Sequence, residues 1–248
     1  MFSKLTSTVT AVALSCLLAS AAPTQLQKRD VSVIDRCVNQ NQVALTFDDG
    51  PYQYEQDIAG RLNDAGSKGT FFLNGNNWDC IYNHVDEIRA IHAAGHTLGS
   101  HGWSHKDMTT LSWDQIHDEL WRVEEAFTRI LGLKPRLFRP PYGAYNDLLL
   151  QALAVRGYTH CVIWDQDTQD GFQVPASQSK DVYNGSGGGD IILGHSVYES
   201  TANDVVPYGI QLLKGKGLDL VSVDTCLGNQ GSWPYTWVGQ PQSGGWQC

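Results

Sequence analysis

The sequence predicts an α/β protein built on about seven parallel strands, and three observations carry that prediction. Seven short apolar or β-rich runs are spread along the chain, segments with helical spacing lie between them, and polar residues stand just past the runs. Such alternation implies parallel strands joined by right-handed crossovers, as an open doubly wound sheet or as a barrel.

The runs are "VALTF" (43–47), "TFFL" (70–73), "HTLGS" (96–100), "RLFR" (136–139), "HCVIWD" (160–165), "DIILG" (190–194) and "LDLVSV" (218–223). The clearest helix is "SWDQIHDELWRVEEAFTRILG". There Ile116, Leu120, Val123, Phe127, Ile130 and Leu131 form one stripe, and Ser112 offers an N-cap. Further helices are expected near 57–66, 84–94, 146–157 and 203–214, several of them stopping at Gly. No glycine-rich phosphate cradle follows the first run, where "TFDDGPYQ" carries acids instead, and this argues against a nucleotide site. "NGSGGGD" precedes a run and reads as a flexible loop, with Asn184 exposed in the N-glycosylation sequon.

Residues 1–21 read as a secretory signal. Lys4 precedes "AVALSCLLAS", which is too short to span a bilayer, and "ASA" fits a small-residue cleavage site. Residues 22–29 read as a propeptide ending in the dibasic Lys28-Arg29, residues 30–227 as one domain, and 228–248 as an irregular tail packed on it. The mature protein is therefore expected to be secreted and extracellular, and to be a monomer. Dropping Lys4, Lys28 and Arg29 from the 17 basic residues leaves 14 against 26 acidic ones, a balance of −12. Such a surface repels nucleic acid and anionic membranes, and neither is an expected partner; a neutral sugar polymer meets no such penalty. Once Cys16 leaves with the signal, five cysteines remain. An oxidising compartment favours disulfides. The expected pairs are Cys37 with Cys226, closing the two ends of the domain, and Cys80 with Cys248, leaving Cys161 as a buried thiol.

The strand ends carry the chemistry. Asp48 and Asp49 follow the first run, His101 and His105 the third, Arg139 and Tyr142 the fourth, "DQDTQD" the fifth and His195 the sixth. In parallel α/β architectures these ends share one face, where active sites are built. Any one of them has a bland explanation, since a strand-end Asp often caps a helix or makes a turn. Polar groups from five separate strands converging on one face are harder to explain as stability. Two imidazoles and one carboxylate make a three-ligand site with open positions, suited to Zn²⁺ with a bound water and equally to non-haem Fe(II). Adjacent strand side chains point to opposite faces, so the two neighbouring acids are expected to diverge and to divide the work.

The motifs "TFDDGP", "HGWSH", "RPPYG", "DTQD" and "LGH" stand in the order and approximate spacing of a known family. Over roughly residues 40–225 the chain resembles the polysaccharide deacetylases (the NodB-homology domain). These are carbohydrate esterases that include chitin, peptidoglycan and chitooligosaccharide deacetylases and acetylxylan esterases. The nearest resemblance is to the secreted fungal-type chitin deacetylases. The resemblance implies a distorted (β/α) barrel with the active site at the C-terminal strand ends, and one divalent metal, Zn²⁺ or Co²⁺. It implies that Asp49, His101 and His105 hold the ion, which would lower the pKa of the attacking water. Asp48 would be the general base, and Arg139 would hold it ionised and oriented. The Tyr142 backbone N–H would help to stabilise the oxyanion. His195 would be the general acid, kept protonated by Asp170, and Leu193 of the same motif would belong to the substrate-binding set. One departure stands out: where the family commonly has an aromatic residue after "DTQD", this chain has Gly171, then Phe172.

Aromatic faces grip sugar rings, and Trp78, Trp103, Tyr145 and Phe172 lie in the strand-end segments, while Trp233, Trp237 and Trp246 of the tail are expected to pack. The expected activity is release of acetate from N-acetylglucosamine units of chitin or chitooligosaccharides. An acetylxylan esterase is the alternative within the family. A glycan-binding protein without catalysis is the alternative outside it, but the chemically intact motifs argue against that, as the parallel α/β pattern does against an Fe(II) oxygenase.

Overall fold

The computed structural model describes residue 1 and residues 30–228 and 234–248. The signal and propeptide expected for 1–29 and Trp233 of the tail lie outside the described residues, Met1 excepted. The strands are β1 (Ser32–Ile34), β2 (Gln42–Asp48), β3 (Thr70–Leu73), β4 (Thr97–Ser100), β5 (Leu133–Pro135), β6 (Leu137–Phe138), β7 (His160–Val162), β8 (Gln166–Asp167), β9 (Ile191–His195), β10 (Asp219–Val221) and β11 (Tyr235–Trp237). The helices are α1 (Glu55–Asp64), α2 (Val85–Ala93), α3 (Trp113–Leu131), α4 (Asp147–Arg156), α5 (Ala176–Gly185), α6 (Val206–Gly215) and α7 (Val223–Cys226).

All seven apolar runs form strands, and they join one parallel sheet in the order β1-β7-β6-β4-β3-β2-β9-β8, with β10 also on β2. β2 is buried along almost its whole length, as a parallel strand covered on both faces must be. The sheet curls because the chain leaves β7 on the β6 side and re-enters as β8 on the β9 side three residues later. The Ile163 N–H bonds the Ile34 carbonyl and the Asp165 N–H bonds the Ile191 carbonyl across that bend. The result is a distorted (β/α) barrel.

α3 follows its sequence signals closely. Ser112 and Gln115 form a capping box, Ile116, Leu120, Val123, Phe127 and Ile130 are buried, and Gly132 ends the helix at φ 71°. Two expectations need correction. Asn184 is not in a loop: it lies in the last turn of α5, where its side-chain amide donates to Asp181 and its oxygen accepts from the Tyr208 hydroxyl. The helix runs on to Gly185 before it stops. Nor is the tail irregular throughout, because β11 pairs antiparallel with β5. Trp246 packs on Tyr82 with ring centroids 5.6 Å apart, but Trp237 is 68% exposed rather than packed.

Disulfides join Cys37 to Cys226 and Cys80 to Cys248, across 189 and 168 residues of chain, and Cys161 is a buried free thiol. Burial pushes that thiol up to about 12, so it is inert as a nucleophile at neutral pH. Replacing Cys37 and Cys226 together by serine is expected to cost about 2–5 kcal/mol of stability, read as a lowered denaturant midpoint.

Candidate active site

β2 delivers Asp48 as its last residue, directly opposite His195 of β9 in the register. Asp49 lies outside the strand at φ 75°, in the left-handed region that Asp tolerates better than most residues. This overturns the expected divergence of the two acids. Strand alternation has ended, and the backbone twist turns Asp49 back, so that Asp48 Oδ2 and Asp49 Oδ1 each lie 3.7 Å from His101 Nε2. What separates the two carboxylates is their partners.

His101 follows β4 and is buried, with Nδ1 2.8 Å from the Arg139 carbonyl. A carbonyl only accepts, so Nδ1 carries the proton and Nε2 presents its lone pair to the acids. His105, at φ 54°, brings its Nε2 to 3.2 Å from Asp49 Oδ1. The candidate ligand atoms of Asp49, His101 and His105 lie within 4.8 Å of one another. Asp49 Oδ1 is buried without a hydrogen-bond partner and faces the two imidazoles, which leaves it free to ligate. Burial holds the His105 imidazole below its ordinary value, which favours the neutral form that can ligate. The donor set therefore fits a divalent metal.

Asp48 is held differently. Arg139, wholly buried, donates from Nη1 to Asp48 Oδ1 at 2.9 Å and to Thr46 Oγ1 at 2.7 Å. Its Nε and Nη2 bond the Val162 and Ile163 carbonyls, and the Phe72 ring lies 4.4 Å from the guanidinium. Opposite Asp48, His195 Nδ1 lies 2.7 Å from Asp170 Oδ1. Asp170 Oδ2 accepts the His195 backbone N–H and the Thr201 hydroxyl. Burial works against charge on both partners. The bonds and charge of His195, with the Thr201 hydroxyl, nevertheless hold the Asp170 carboxyl below its usual value. Asp170, with the more distant Asp48 and Asp49, raises His195 to about 9. Tyr142, at φ 63°, is exposed and sets its ring against His105.

Residues 35–161 match the polysaccharide deacetylase family. The chain belongs to that family. The matched stretch contains the two acids, both histidines and Arg139, and ends before Asp170 and His195. A chitin deacetylase of Pestalotiopsis sp is 38% identical over 85% of this chain and 73% of its own length. The solved structure of the chitin deacetylase from Colletotrichum lindemuthianum superposes with a TM-score of 0.77 at 33% identity, covering 83% of this chain and 95% of that one. A family 4 carbohydrate esterase from Streptomyces lividans, solved with acetate, gives 0.67 at 34% identity over 74% and 92%.

Not every expected substrate residue of this deacetylase is available to a sugar. Trp78 and Tyr145 are exposed. Trp103 is buried in the core, lying so close over Gly75 that a Cβ there would fall 1.8 Å from its ring. Leu193 is only 4% exposed in β9. Phe172 is 79% exposed on the turn after Asp170. Gly171 itself is explained by crowding, since a Cβ would meet His195 Cε1 at 2.9 Å.

The structure also shows residues that sequence reasoning missed. Tyr52 and Tyr198 flank Trp78 at 5.4 and 5.6 Å, and Tyr198 reaches His195 at 5.9 Å. Glu119 of α3 accepts the Ser104 N–H and hydroxyl and pairs with Lys106, clamping the segment between the two histidines. Asn74 donates to the His101 and Gly102 carbonyls from the end of β3. Glu119 left one signal, a carboxylate beside the apolar stripe of α3.

Proposed function

We propose that this polysaccharide deacetylase is a secreted, metal-dependent hydrolase that removes the N-acetyl group from N-acetylglucosamine units of chitin or chitooligosaccharides. One observation carries the reading: two adjacent carboxylates with unlike partners. Asp49 Oδ1 is unpartnered between two imidazoles, whereas Asp48 is anchored to Arg139. Asp49, His101 and His105 would hold a divalent metal, which when bound would supply Lewis-acid polarisation and lower the pKa of water. Asp48 takes the proton of the attacking water through the oxygen that Arg139 leaves free, and Arg139 holds the base in place. His195 gives a proton to the leaving nitrogen, and Asp170 holds it ready to do so. The Tyr142 N–H serves the oxyanion. An amine leaves an amide only when protonated, so a histidine whose charge is stabilised suits N-deacetylation.

Substrate and compartment rest on independent support. Trp78, backed by Tyr52 and Tyr198, offers an aromatic wall beside His195, with Tyr145 in reserve on a separate strand-end segment. The acidic balance disfavours anionic partners. Secretion is supported by the N-terminal signal pattern and two disulfides, and the described residues contain no helix long and apolar enough to cross a membrane. The test is acetate release from chitooligosaccharides and from acetylxylan, side by side, after chelation and re-addition of Zn²⁺ or Co²⁺. Metal-restored release from the chitooligosaccharides is expected. Release from acetylxylan alone would make the protein an esterase; binding of chitin without release would make it a glycan-binding protein.

A further inference from the structure

Glu55, the first residue of α1, is 1% exposed and lies beneath the turn that carries Asp48 and Asp49. The Gly50 backbone passes so close that any side chain there would collide with Glu55 Oε1. Oε2 accepts the Tyr52 N–H at 2.7 Å, and Oε1 lies 2.6 Å from the Ser196 hydroxyl oxygen. Ser196 follows His195, and its hydroxyl also lies 3.2 Å from the Asp48 carbonyl, which already accepts the Ser196 N–H.

Counting protons shows what this cluster needs. Ser196 has one hydroxyl proton and two oxygen neighbours. If Glu55 is ionised, both neighbours only accept: the Ser196 proton fills the 2.6 Å contact, and the 3.2 Å contact with the Asp48 carbonyl has no proton in it. If Glu55 is a carboxylic acid, its O–H fills the 2.6 Å contact and frees the Ser196 proton for the Asp48 carbonyl. We propose that Glu55 is a neutral acid that donates to Ser196, which donates to the Asp48 backbone, and that this chain of bonds positions the Asp48 end of β2 against His195. Glu55 is thus a positioning residue. The proposal rests on the catalytic reading of Asp48 and His195 given above.

The surroundings favour the neutral form. Titratable groups on the neighbouring elements are Glu87 of α2, Asp48 and Asp49 at the end of β2, and His195 of β9. Among the described residues no lysine or arginine bonds Glu55. Burial, aided by Glu87, raises the carboxyl to about 8 against the bonds from Ser196 and Tyr52.

Two measurements on the metal-loaded protein test this. Infrared difference spectra between wild type and Glu55→Gln read the protonated carboxyl band at pH 7 without reference to activity. Kinetics then compare Glu55→Ala, Glu55→Gln and Ser196→Ala. Removing the donor or the relay is expected to lower kcat roughly ten- to a hundredfold with KM little changed. Glu55→Gln, whose amide donates to Ser196 while its oxygen accepts from Tyr52, is expected to rescue the alanine loss and to keep only the alkaline decline that belongs to His195, without a separate one near pH 8. Absence of the carboxyl band, or a glutamine variant as deficient as the alanine one, overturns the proposal. Should Glu55→Ala fail to fold, the infrared band and Ser196→Ala decide it. Should wild type release no acetate while the band is present, the deacetylase reading fails and the neutral carboxyl stands.

Discussion

Asp48→Asn lowers turnover by roughly 10²–10⁴-fold and leaves the metal content unchanged. Asparagine has almost the volume of aspartate, and its side-chain oxygen can still accept the Arg139 Nη1 bond that holds Asp48 at 2.9 Å. What it lacks is a carboxylate able to take a proton. The expectation is sharp because Asp48 Oδ2 and Asp49 Oδ1 are equally distant, 3.7 Å, from His101 Nε2. Distance to that ring would not say which acid holds the ion; the partners do. Asp48 is neutralised by a buried guanidinium, and Asp49 Oδ1 has no bond of its own. Asp49→Asn should therefore do the opposite and lower metal content first. Metal analysis of both variants beside acetate release checks the division. If Asp48→Asn loses the metal, the roles of the two acids are reversed.

Much of this arrangement was legible in the chain, for physical reasons. Parallel strands buried on both faces must be continuous apolar runs, so "VALTF" and "DIILG" identified themselves, and the face they share named Asp48, His101, Arg139 and His195 in advance. β1, β8 and β11 are two or three residues long, too short to display a period. The direction of Asp49 was hidden because it depends on one backbone angle just past the end of a strand. Trp103 reads as a loop aromatic, and only the slot over Gly75 reveals it as core. Glu55 and Ser196 stand 141 residues apart, and their bond exists only because β2 and β9 are neighbours. Local pattern reveals what each element presents to the site. The groups that tie elements together carry no local pattern.

The tie between Asp170 and His195 yields the second large effect. In wild type, burial alone would depress the imidazole, but Asp170, with Asp48 and Asp49 further off, raises it to about 9. A raised histidine is protonated below that value and loses its proton as pH rises through it. The alkaline limb of kcat/KM should therefore follow His195, lying lower to the extent that a bound divalent ion adds positive charge nearby. Asp170→Asn removes the countercharge and keeps the burial, so the limb should move down, toward or below the ordinary histidine value of about 6.5. At pH 7 the variant should lose most of its general acid, with turnover down by roughly 10²–10⁴-fold and metal content intact. Stability should respond with the same sign. The contribution of the His195–Asp170 pair is fully present from about pH 6.5 down to the acid range where Asp170 begins to take up a proton, and is lost as pH rises through about 9, so wild type and variant should converge in stability at alkaline pH. A pH–rate profile of Asp170→Asn with an unmoved alkaline limb would mean that another group protonates the leaving nitrogen. Asp170 would then merely brace β9 through the His195 backbone N–H and Thr201.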